Sequence, residues 1–88
     1  MIAYSLNPDG TKTERTPANG KKFTLAEMRA AIGGGYIRLV QLSKDTYMGV
    51  DEDGYMKKLP FNAVATELMG GREPLVGTAF IFPKKMLA

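Results

Sequence analysis

The sequence predicts an α+β domain, a mostly antiparallel sheet of about five or six strands carrying two short helices. Three observations predict it. Short apolar runs recur between turn residues. Two brief amphipathic segments each open on a capping residue. Ten glycines and five prolines punctuate 88 residues, which suits many short elements joined by tight turns.

The elements follow in order. Ile2 to Leu6 alternates as a strand does, and Asn7-Pro8-Asp9-Gly10 is turn chemistry. Thr11 to Thr16 is rich in threonine and charge, as a solvated edge strand is, so residues 1–16 read as an N-terminal hairpin. Ala18-Asn19-Gly20 breaks the chain. Thr24-Leu25-Ala26-Glu27 is a capping box, and Leu25, Met28 and Ile32 fall on one helical face behind it. Gly33-Gly34-Gly35 ends that helix, because glycine accepts the left-handed conformation past a C-terminus.

Tyr36 to Leu42 is apolar on both sides apart from Arg38 and Gln41, which predicts a central strand covered on two faces. Ser43-Lys44-Asp45 turns the chain into a strand over Thr46 to Asp51. Asp53-Gly54 is a hairpin signal, so Tyr55 to Leu59 is expected to return as a third strand of a meander. Pro60 closes it. Asn62 caps a helix from about Ala63 to Met69, and Gly70-Gly71 stops it. Leu75 to Phe82 is the last strand, ended by Pro83. The whole is one domain over residues 1–88, with its core at 24–82 and a loose tail at 83–88.

Composition narrows function more than any motif does. Cysteine and histidine are both absent. That removes the disulfide staple, the thiolate nucleophile, the commonest general base and the commonest transition-metal ligands. No paired-carboxylate spacing replaces them, so the reading is a non-enzymatic protein with no cofactor and no metal. Asp51-Glu52-Asp53-Gly54 is not a calcium loop, since the twelfth position from Asp51 is Asn62 and not a bidentate acid. The glycine triplet closes a helix instead of opening one, so it is no phosphate cradle. No secretory leader is visible at Met1 to Leu6, and no apolar run approaches the length of a membrane span. A cytoplasmic protein is the simplest expectation.

The net charge is +3. Lys21-Lys22, Lys57-Lys58 and Lys84-Lys85 are scattered in sequence and read first as solvated surface, with a shared basic face as the alternative. Arg38 interrupts an apolar strand. It is either half of an ion pair with a carboxylate such as Asp51 on the next strand or an anion-recognition group. Arg72 follows two glycines on a loop that suits clamping a carboxylate or phosphate. Tyr36 and Tyr47 offer flat surface with a polar tip, and Asn62 stands at a helix N-terminus. Tyr36, Arg38, Tyr47, Asn62 and Arg72 are therefore the candidate ligand contacts, for a small anionic, nucleotide-like molecule. Two helices this short are expected to leave part of the sheet uncovered, which predicts a homo-oligomer.

Gly34-Gly35-Tyr36, Asp51-Glu52 with Gly54, Leu59-Pro60 with Asn62, and Val76-Gly77 together resemble a small domain family of unknown function met in bacteriophage, plasmid and conjugative-element genomes. The resemblance covers about residues 24 to 82. It implies an accessory protein of a mobile element acting in the host bacterial cell, with a host defence protein as a second class of partner. Nucleic-acid binding through the lysine pairs is the competing reading. Neither reading involves a membrane.

Overall fold

The computed structural model describes residues 2–87; Met1 and Ala88, the outer ends of the predicted hairpin and tail, lie outside the described residues. Five strands form one antiparallel sheet: β1 (Ala3–Leu6), β2 (Lys12–Arg15), β3 (Ile37–Ser43), β4 (Thr46–Asp51) and β5 (Ala79–Pro83). Their order across the sheet is β2-β1-β5-β4-β3. Two helices, α1 (Leu25–Ala31) and α2 (Ala63–Leu68), complete the α+β fold, and a 3-10 turn spans Lys84–Met86.

Strand alternation gives the sheet two apolar faces. Ala3, Phe80 and Phe82 point to one face, where α1 lays Met28 and Ala31 over them and Phe23 fills the gap. Phe23 meets Phe80 edge-on at 4.9 Å, and Phe80 stacks on Phe82 at 4.8 Å. Leu6, Met48, Val50, Ala79 and Ile81 point to the other face, where α2 contributes Ala65 and the adjoining loop contributes Leu75. Each helix therefore serves its own face. The cover stops short of β3, whose Leu39 is 39% exposed.

Four expectations need correction, the smallest being the last strand, expected over Leu75 to Phe82, which begins only at Ala79 and runs through Pro83. The central strand is β5, every residue of which is buried; β3 is an edge strand and is largely exposed. An apolar run records how many faces are greasy, not how many neighbours a strand has. Tyr55 to Leu59 is no strand. Lys57 N–H donates to Asp53 C=O and Leu59 N–H to Gly54 C=O, so the chain coils through successive turns. Residues 84–87 are not loose either: Phe23 N–H donates to Met86 C=O at 2.8 Å, Leu87 bridges Phe23 in parallel, and both Met86 and Leu87 pack on the phenylalanine cluster.

The N-terminal hairpin, the β3–β4 hairpin, both helices and both helix caps fall where the sequence predicts them. The capping box at Thr24 is complete in both directions.

Candidate functional site

The predicted ligand contacts do not share a pocket. Arg38 lies opposite Val50 and Tyr47 opposite Gln41 across the β3–β4 ladder, which puts Arg38 and Tyr47 on opposite faces of the sheet. Arg38 pairs with Glu73 at 3.0 Å, not with Asp51, and both side chains are more than a third exposed. Tyr47 packs its ring against Phe82 at 6.0 Å and belongs to the core. Tyr36 lies exposed under the Arg29 guanidinium at 4.7 Å, while Arg29 also donates to Gly34 and Gly35 C=O. Arg72 turns back to donate to Met69 C=O, closing the end of α2.

Asn62 is fully buried and has no polar group left for a ligand. Its Oδ1 accepts from Ala65 N–H, and its Nδ2 donates to both Leu6 C=O and Gly77 C=O. The capping asparagine thus joins α2, β1 and the loop before β5. Its candidacy as a ligand contact ends there.

Asn62 belongs to a locked end of the sheet, where β1, β3 and β4 meet the long loops. Asp51 ends β4 with its side chain only 4% exposed, and its Oδ2 accepts from Lys57 Nζ at 2.7 Å. Its Oδ1 accepts from Asp53 N–H at 2.8 Å. Gly35 lies flat against this pair; a Cβ there would collide with the Asp51 carboxylate and Lys57 Nζ. Gly77, at φ +79°, closes on Leu59 and donates its N–H to Pro60 C=O at 2.7 Å. Glu52 N–H donates to Tyr36 C=O at 2.8 Å. Several of the residues that carry the family resemblance, Gly35, Asp51, Leu59, Pro60, Asn62 and Gly77 among them, therefore help to fasten this end. A small cleft lined by Ile32, Gly33, Asp51, Lys57, Leu59 and Thr78 opens beside them, but the one buried carboxylate in it is already paired.

The opposite end of the sheet is built differently. Lys84 N–H donates to Asp45 C=O at 2.8 Å, which sets Lys84 and Lys85 beside the β3–β4 turn and its Lys44. The Phe23–Leu87 bridge sets Lys22 and Lys21 beside the same 3-10 turn. Lys21, Lys22, Lys44, Lys84 and Lys85, drawn from three distant segments, are all exposed. The two ion pairs among the described residues, Arg38–Glu73 and Lys57–Asp51, involve none of them. A shallow depression framed by Asp45, Thr46, Pro83, Lys84 and Lys85 lies among them.

Two polar side chains near this end, Asn19 and Glu27, are bonded to the backbone, while the exposed Asp45 borders the depression as its one acidic residue. Asn19 Oδ1 accepts from the N–H groups of both Lys21 and Lys22, at 2.9 Å each. The Glu27 carboxylate accepts from Thr24 N–H and Ala18 N–H. Those backbone bonds, Thr24 first and then Ala18, hold the Glu27 carboxyl below its ordinary range. Sequence reasoning kept a shared basic face only as the alternative, because the segments are far apart in the chain. The lysine pairs were visible; their shared location depends on where β5 exits. The third pair, Lys57-Lys58, lies at the locked end.

No three acidic side chains among the described residues gather in a way that would hold a metal ion, and no helix there is long and apolar enough to cross a membrane. Fold and surface define a small α+β domain with a helix on each sheet face and a lysine-rich end. The chain belongs to the family described as Domain of unknown function (DUF3846), whose model matches residues 1–85. No curated protein and no solved structure matches it.

Proposed function

We propose that this protein is a non-enzymatic binding module that grips the phosphate backbone of a nucleic acid with the lysine end of its sheet. One observation carries the reading: Lys21, Lys22, Lys44, Lys84 and Lys85 come together with no ion-pair partner among the described residues. Lysine ammonium groups without structural employment are counter-charges for a polyanion, and each phosphate they neutralise releases a condensed cation. Lysines here offer point charges and no bidentate fork, which suits backbone contact without reading of base sequence.

The alternative of a small nucleotide-like ligand loses its support, since Arg38 and Tyr47 face apart and Asn62 is sealed. Resemblance to phage, plasmid and conjugative-element domains favours an accessory role for a mobile element in the bacterial cytoplasm, where nucleic acid is abundant.

Fluorescence anisotropy with labelled single- and double-stranded oligonucleotides tests the reading. Binding is expected at about 50 mM salt and should weaken steeply by about 200 mM. The triple variant Lys22→Glu, Lys84→Glu, Lys85→Glu should lose at least about tenfold in affinity while its melting temperature hardly moves, because exposed substitutions seldom cost more than about 0.5 kcal/mol. Absence of binding by the wild-type protein at low salt, or a triple variant that binds as well, would overturn it.

A further inference from the structure

The two edges of the sheet are not alike. The β2 edge is four residues long and reads Lys-Thr-Glu-Arg, the short charged form that blocks strand addition. The β3 edge is seven residues long, contains no proline, and has Arg38 as its one charged residue. Glu73 already neutralises Arg38. Leu39, in the middle of the strand, leaves 39% of its surface in water. A register shift between Gln41 and Ser43 ends the regular part, leaving Ile37 to Gln41 as a flat run centred on Leu39.

We infer that β3 is the site at which a second copy of this chain adds, antiparallel, about a two-fold axis at Leu39. This surface is separate from the lysine end, and the inference does not depend on nucleic-acid binding. The centre of an isologous strand pair sets a residue against its own copy. Leu39 there buries against Leu39 of the partner and removes the exposed apolar surface on both chains. Ile37 then opposes Gln41, and Arg38 opposes Val40, so no like charges meet. A charged centre would forbid this arrangement. The β3 edge has none, whereas on the β2 edge three of the four residues are charged. Pairing also supplies partners for the outward backbone groups that an edge strand such as β3 presents.

The chain contains no cysteine, so a single introduced thiol reports without background. Directly opposed residues of an antiparallel pair have Cα atoms about 4.5–5.5 Å apart, within disulfide reach. Under mild oxidation Leu39→Cys should convert largely to a covalent dimer, while Thr13→Cys on the β2 edge should not. Wild-type protein at about 100 μM should sediment at twice the chain mass, since strand-pair dimers of modest area bind in the micromolar range. Hydrogen exchange of the wild type should slow with concentration across Ile37–Ser43 and nowhere on β2. A monomer at that concentration, concentration-independent exchange in β3, or equal crosslinking of Leu39→Cys and Thr13→Cys would each overturn the inference.

Discussion

The two ends of the sheet solve the same problem in opposite ways. Both must join strands through loops that carry polar and charged groups. At the locked end those groups are spent on one another: Asp51 on Lys57 and Asp53, Asn62 on three backbone partners, Gly35 and Gly77 on close approaches no larger residue permits. At the basic end two side-chain acceptors, Asn19 and Glu27, hold the backbone, and the lysine side chains have no ion-pair partner among the described residues. The lesson is that an unusual residue is not evidence of a site by itself. A polar group whose bonds are all satisfied inside the fold has explained its presence, and one without internal work has not.

The sharpest way to break this comparison is Asn62→Ala. It removes the cap of α2 and strands the carbonyls of Leu6 and Gly77 in the interior. We expect a loss of about 3 kcal/mol, a large fraction of the stability of so small a domain. Urea unfolding measures it; a loss under about 1 kcal/mol would mean that the locked end is not locked by Asn62.

Gly35→Ala is next. Its new methyl group meets the Asp51 carboxylate and forces the Asp51–Lys57 pair apart, at a cost of about 1–3 kcal/mol. Pairing it with Lys57→Met sharpens the result. With the ammonium already gone there is less to displace, and the two losses should sum to less than additive by thermal melts. Strict additivity would separate the glycine from the ion pair.

The smallest effect concerns the basic end. The Glu27 carboxyl is held below its ordinary range by bonds from Thr24 N–H and Ala18 N–H. A carboxylate depressed in the folded state stabilises above its unfolded pKa and loses that stabilisation as pH falls through the lowered value. Acid should therefore loosen the Ala18–Thr24 segment. Protection of the amides there against hydrogen exchange, corrected for the intrinsic pH dependence of exchange, is expected to fall below the ordinary glutamate range of about 4.3. Glu27→Gln should show the looser exchange at every pH. A variant indistinguishable from wild type at neutral pH would remove the carboxylate from the account.

Legibility in the sequence followed the range of the interaction. Both caps were readable because the capping box Thr24–Glu27 and the bond from Asn62 to Ala65 span three residues. Both flanking hairpins were readable from their turns. The β3 strand was legible as a strand but not as an edge, since apolar residues on both sides are the same in either position. Asp53-Gly54 carried a true turn signal. It failed to predict what followed because the bond from Gly54 N–H to Asp51 C=O and the contacts around Gly77 coil the chain instead of reversing it. For the candidate site, Arg38 was left open between an ion pair, with Asp51 as the suggested partner, and anion recognition; its actual partner Glu73 is thirty-five positions away and no local pattern names it. The lysine convergence stayed one of two open alternatives for the same reason.

The place of β5 has a consequence in time. The middle of the sheet is made by residues 79–83, inserted between β1 and β4, with Tyr4 paired to Ile81. Until β5 takes its place, β1 and β4 have no strand between them and neither has the other as a neighbour. The two hairpins can form early, because their contacts are local, but they stay separate halves until β5 arrives to join them. Joining the halves is therefore expected to be the late step of folding, since its pairings close the longest loops. A chain in which β5 has not yet docked leaves two hairpins with open inner edges, the form most exposed to proteases and to pairing with the wrong strand.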